Sequence, residues 1–423
     1  MKQLVGEDME AYALRREEEM RVDRQFRIVR FRKSARSEVN IFDSAEFQLQ
    51  LLDLGGGAVN TTLARGTGTA TFTRATTAWT KLASGLWASV ATGVARSSYI
   101  GLNTAVTAYG GYLAEGAGTQ LVTPTASIRD MTDASWVKVT MTTAFTSTGI
   151  GGVANSCTRC TATGASATIL QTLTAAASSR TYSCWIKRIT GTGTIGICQD
   201  GVTFTDITAQ INSSTFTLVQ LNASQLNAAF GIQIVTSGDA IDVDFNQFEA
   251  GPFATTPMDV AGAAVRNGDS LTYVQSGNIN LPAGTIYAEY SVEGLNGVRA
   301  YLVDINDIGN ARVSLRGEDT GPPAYPTLAY GDGAANYGVF DLTSITTNSI
   351  TKVAAAWGST GGRLARTGIA LASVANPAAP TGNTNIGIGV NNAGTGNQLY
   401  GGIKNVRIWQ TQLSDATLQA LTT

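Results

Sequence analysis

The stretch Ile241-Asp242-Val243-Asp244-Phe245 decides the fold. Successive residues of an extended chain point to opposite faces, so this run sets three apolar side chains on one face and two carboxylates on the other. The same period of two recurs in Val137-Lys138-Val139-Thr140-Met141, Phe216-Thr217-Leu218, Arg312-Val313-Ser314-Leu315-Arg316 and Val406-Arg407-Ile408. Turn signals such as Gly191-Thr192-Gly193, Ser237-Gly238-Asp239 and Gly331-Asp332-Gly333 punctuate the runs. Short alternating strands with turns between them predict antiparallel β-sandwiches, one face of each strand on a core and the other toward solvent.

Working outward, the rest of the chain agrees. Charged residues make up only 14% of the 423, against roughly 25% in typical globular domains. Thr, Ser, Asn and Gly fill the difference, which favours strands and tight turns over helices. At the far end, Ser414-Asp415-Ala416-Thr417-Leu418-Gln419-Ala420-Leu421 reads as a helix, with Ser414 as N-cap and Leu418 and Leu421 on one side.

The first 45 residues differ from everything after them. They hold 10 of the 29 Lys and Arg and 9 of the 31 Asp and Glu. Glu7 to Arg24 reads as a mixed-charge helix with a thin apolar stripe, and Phe26–Arg32 as a strand. A helix with so little apolar surface needs a partner, so an attachment arm is expected over 1–45. A β connector is expected over 46–118, one sandwich over 119–258 and a second over 259–423. Ala261-Gly262-Ala263-Ala264 reads as the linker between the two.

Function is bounded mostly by exclusion. Histidine is absent, which removes the commonest general base and metal ligand and every Ser-His-Asp or Cys-His nucleophile. The formal net charge of −2 provides no general attraction to nucleic acid or anionic membrane. The arm's basic residues are interleaved with acids, which weakens a nucleic-acid reading further. No run reaches the roughly 18 apolar residues of a membrane span. Met1 to Met20 is charged, unlike a secretory signal, so synthesis and folding in a cytoplasm are expected.

Three stretches carry a resemblance. Residues 70–101 read ATFTRATTAWTKLASGLWASVATGVARSSYIG and 112–122 read YLAEGAGTQLV. They are similar to a recurrent element of tail and other structural proteins of tailed bacteriophages. That element has a Phe-Thr-Arg-Ala opening (Phe72 to Ala75), a hairpin around Gly85, a Val-Ala-Arg-x-x-Tyr piece (Val94 to Tyr99) and a Leu-x-Glu closing motif (Leu113 to Leu121). Gln120 stands where Asn is usual. Tyr182–Arg188, continued through 199, with Asp242–Pro257, resembles carbohydrate-binding-module-like jelly rolls of the same proteins. Gly284–Glu289, Gly402–Trp409 and Leu413–Leu421 resemble a laminin-G or concanavalin-A-like lectin sandwich. The resemblance implies a non-enzymatic virion protein, of a tail rather than a head, without cofactor. It further implies docking to other virion proteins through 1–45, assembly as a homotrimer and contact with host-surface glycans. A purely architectural head fibre, capsid decoration or connector is the alternative, and a polysaccharide depolymerase a third reading.

No catalytic, cofactor or metal residue is assigned, but several groups invite a chemical reading. Cys157, Cys160, Cys184 and Cys198 contain one Cys-x-x-Cys; ordinary thiols outweigh a four-thiolate zinc site or a disulfide, because Cys184 and Cys198 fall on separate strands. Asp242 and Asp244 share a strand face about 7 Å apart. They fit a calcium site, a glycosidase pair or, more plainly, a polar solvent-facing strand edge. Glu115 and Glu249, each within two residues of a following Gly, read as structural turn positions. Trp79, Trp87, Trp185, Trp357 and Trp409 are candidates for stacking on sugar rings. Trp79 and Trp87, around a hairpin, fit that role better than Trp185 and Trp409, which sit in strands.

Overall fold

The computed structural model describes residues 40–101, 108–123, 127–259, 263–295, 299–308, 311–318, 325–332, 336–341, 343–371 and 385–423. The arm's expected helix and strand, with Ala261, Gly262 and Gly333, lie outside these residues. Two compact units divide at Ala45. In the first, the described residues include a single helical turn, Asn40–Asp43. The second, Glu46–Thr423, is built from antiparallel sheets. Among the described residues of 47–410 the helical content is one 3-10 turn, Thr208–Gln210.

Four large sheets form two sandwiches. In the first, Met141–Ser147, Cys157–Ala162 and Ala240–Ala250 are successive neighbours, and Ala240–Ala250 also pairs with Ser178–Thr190, which carries Thr217–Gln225. The opposing sheet runs Val137–Val139, Ala167–Thr172, Ala229–Ile234, Ile195–Cys198, Thr205–Asp206. Between them Trp136, Tyr182, Phe230, Phe248 and the isoleucines of both sheets form one core. The second sandwich sets Thr351–Trp357, Gly284–Val292 and Gly401–Trp409 against Thr327–Asp332, Ala311–Glu318, Ala300–Ile308 and Asn385–Ile388. Its core is separate and contains Phe47, Tyr112, Tyr273, Tyr290 and Trp357. The C-terminal helix spans Asp415–Thr422, with the Thr417 amide donating to Ser414 Oγ and Leu418 and Leu421 buried.

Strands from 46–118 enter the second sandwich. Phe47–Gln50 pairs with Gly401–Trp409, as does Ala108–Ala114, while Thr71–Thr73 pairs with Ser270–Val274. Gly118–Gln120 then bridges to the first sandwich, pairing with Glu249 on one side and with Ala264–Arg266 on the other. Ala264, expected in a linker, is thus the start of a strand.

Two expectations about exposure are corrected. The Val137–Val139 strand presents Val137 and Val139 to solvent, while Lys138 turns its ammonium back to the Thr132, Asp133 and Trp136 carbonyls. Among the described residues it is an edge strand whose pairing is with Ala167–Thr172, so alternation alone did not say which face is inward. Asp242 and Asp244 are not on a solvent-facing edge: Ala240–Ala250 has a partner on each side, and both carboxylates are buried.

Candidate functional site

The side chains with a candidate chemical role are mostly committed to structure. Arg129 donates to both Asp244 oxygens at 2.7 and 3.0 Å, and the Ile150 and Phe245 amides donate at 2.8 and 2.9 Å. Asp242 accepts from Arg159 at 2.7 and 3.1 Å and from Ser147 at 2.8 Å. Protein cations and donors therefore occupy the lone pairs that calcium or a glycosidic reaction would need. Phe245 takes a left-handed φ of 44°, and its ring meets both Trp79 and the Arg129 guanidinium.

The four cysteines are free and buried. Burial pushes the Cys160 and Cys184 thiols up to about 12 and Cys198 to about 11, and it raises Cys157 further. They behave as small apolar side chains. Trp357 and Trp409 are core residues, the former donating to the Leu281 carbonyl.

The junction of the two sandwiches concentrates what remains. Arg74, Arg96, Glu115, Arg266 and Asp269 are all buried there. Arg96 donates to Glu115 at 2.8 Å and to Asp269; Arg74 donates to Asp269 at 2.8 Å; Arg266 lies 3.2 Å from Glu115. Thr256 supplies its amide at 2.7 Å and its hydroxyl at 2.6 Å to Glu115. Burial alone would raise the Glu115 carboxyl, but Arg266 and Arg96 outweigh it and hold the group below its ordinary value. Glu249 lies on the same junction with weaker compensation. It accepts from Thr255 and Gln247, and burial lifts it to about 7. Gln120 ties the bridging strand down, its amide oxygen accepting from the Leu121, Val122 and Phe248 amides.

No family model matches this chain, and no curated protein matches it. Parts of it are similar to solved structures. One is the CBM40 of the Ruminococcus gnavus IT-sialidase bound to α2,3-sialyllactose, with 21% identity and a TM-score of 0.30 over 34% of this chain and 84% of that one. Domain 4 of AbnA, a GH43 extracellular arabinanase from Geobacillus stearothermophilus, in complex with arabinotriose, gives 17% and 0.32 over 41% and 84%. The heptameric SAP-like pentraxin from Limulus polyphemus gives 12% and 0.28 over 34% and 73%.

Two hollows at this junction share the Phe253–Tyr400 ring pair, whose centroids are 4.4 Å apart, in their lining. The smaller, about 50 Å³, is walled by Trp87 and Trp185, with rings 5.4 Å apart, and rimmed by Gln220 and Asn348. The larger, about 230 Å³, is lined by Glu115, Asn397, Gln398 and residues 250–252. Trp87 and Trp185 thus meet at the junction, one of them anticipated from its hairpin and the other set aside as a strand residue. Phe253, Tyr400, Asn397 and Gln398 were not singled out from sequence. Three of the nine non-glycine residues with left-handed backbone among the described residues line these hollows: Asn348, Asn397 and Tyr400. For a ring as bulky as Tyr400 that conformation is a genuine outlier, and such strain concentrates at ligand clamps. It is held there because the Tyr400 carbonyl accepts from the Glu293 amide at 3.1 Å while its hydroxyl donates to the Ala254 carbonyl.

Proposed function

We propose that this chain is a non-catalytic structural protein of a tailed-phage particle, tail-fibre or baseplate-associated, that contacts host-surface glycans. The observation that carries the reading is where the phage-like wording falls in three dimensions. Arg74 of the Phe-Thr-Arg-Ala opening, Arg96 of the Val-Ala-Arg-x-x-Tyr piece and Glu115 of the closing motif meet, with Asp269, in one buried cluster. A motif spent on locking two sandwiches together suits a rigid projecting module better than an enzyme. The carboxylates most open to a catalytic reading, Asp242 and Asp244, are engaged by Arg159 and Arg129. The charge-rich segment 1–45 supplies the docking arm, and a homotrimer is the assembly the family resemblance favours. Weak individual sites would gain through several copies on one particle.

Gold-labelled antibody raised against residues 119–423 tests the location on intact particles. Label at the tail tip or fibres is expected. Label confined to the head would replace this reading with the purely architectural one.

A further inference from the structure

We infer that the hollow at the sandwich junction is a saccharide subsite whose ligand is an uncharged pyranose, stacked on Phe253. The inference rests on the glycan-binding role proposed above and deepens it by naming the site and the sugar class. Phe253 is part-exposed and backed by Tyr400, so one aromatic face is offered while the ring behind it is fixed. A flat apolar ring is what the axial C–H face of a pyranose packs against.

Around it stand amides with unspent hydrogen-bonding capacity. The side chains of Asn348, Asn397 and Gln398 make no hydrogen bond among the described residues, although Asn348 and Asn397 are held in strained left-handed backbone. An amide offers a donor pair and an acceptor together, which matches the hydroxyl and acetamido groups of a sugar. Charge selects within that class. Among the described residues no Lys or Arg side chain lines either hollow, and the nearby Arg96 and Arg266 are already spent on the wholly buried Glu115. An anionic sugar would enter without a countercharge in the lining, at a desolvation cost that nothing there offsets. The 230 Å³ hollow is below the roughly 300–1,000 Å³ of pockets for drug-sized ligands, so it takes one or two rings and not a long chain.

Saturation-transfer NMR on the full chain tests this, with methyl α-D-glucopyranoside, methyl β-D-galactopyranoside and N-acetylglucosamine against glucuronate and N-acetylneuraminate. At least one uncharged probe should bind, and both acids should bind at least about tenfold more weakly, the ratio that about 1.4 kcal/mol gives. Phe253→Ala should weaken the uncharged probe by about tenfold, the loss of one stacking face. Gln398→Ala, a part-exposed side chain without hydrogen bonds, should weaken it several-fold while the urea midpoint stays that of the parent chain. Unchanged binding in both variants overturns the site and leaves the glycan role standing elsewhere on the molecule. Preference for an acid overturns the sugar class, and binding of none of the five probes overturns both this site and the glycan-binding role.

Discussion

Arg96 and Glu115 meet at 2.8 Å with both side chains wholly out of solvent, and each is also held by a third group: Asp269 for the arginine, Arg266 for the glutamate. The arrangement is a closed set of charges at the seam between two separate apolar cores. Each ion in it depends on the others for the solvation it gave up on folding.

Removing one member should therefore be severe. Arg96→Ala leaves Glu115 and Asp269 buried with one cation fewer each, and a loss of about 3–5 kcal/mol is expected. Arg159→Ala, whose guanidinium side chain is 40% exposed, should cost about 1 kcal/mol or less, because Asp242 keeps Ser147 as a donor. Urea unfolding of the two variants side by side checks the ranking. Equal losses would show that burial does not set the energetics of this seam.

Much of the fold was legible in the sequence because strand alternation and turn residues are local signals. The C-terminal helix was readable for the same reason, its cap and apolar side being set within eight residues. What local signals could not show is how many neighbours a strand has. Ile241 to Phe245 alternates like a half-exposed strand, yet partners on both sides and protein over both faces bury Asp242 and Asp244 as well. The same limit hid the seam: Arg74 and Asp269 are 195 positions apart, and Phe253 meets Tyr400 across 147. The motif letters of Arg74, Arg96 and Glu115 were in view, but their convergence exists only after folding.

The pH dependence should reveal Glu249. Its folded value of about 7 lies above the ~4.3 of an unfolded glutamate, so the folded chain binds the extra proton. The stabilisation is fully present below about pH 4 and is lost as pH rises through about 7, a span on the order of 4 kcal/mol. Glu115, held low, works in the opposite sense and loses its contribution only as pH falls through its depressed folded value. Glu249→Gln should thus be least favourable at pH 5 and gain relative to the parent chain by pH 8, read from urea midpoints. Parallel curves for the two proteins would contradict the assignment.

The four thiols should be silent in the native protein. With Cys160 and Cys184 buried and pushed up to about 12, almost no thiolate exists at pH 8 to attack a disulfide reagent. Ellman's reagent should label none over minutes and all four in guanidinium. Prompt native labelling of one or more would mean that the first sandwich opens far more readily than its packing implies.

Deleting residues 1–40 should leave the Glu46–Thr423 unit folded, because two extensive apolar cores are formed among its own described residues. Its thermal midpoint should match that of the full chain, while incorporation into particles is lost. Normal incorporation of the truncated chain would remove the docking role proposed for the arm.

Recognition of glycan without cleavage is the central claim, and one measurement addresses it most directly. The full chain is incubated with purified surface polysaccharide of the bacterium its particle infects, and retention on the immobilised polymer is recorded together with the release of reducing ends. The account predicts retention that soluble polymer displaces and no reducing ends above the blank. Release of reducing ends that Asp242→Asn or Asp244→Asn abolishes, or a complete failure to be retained, would contradict it.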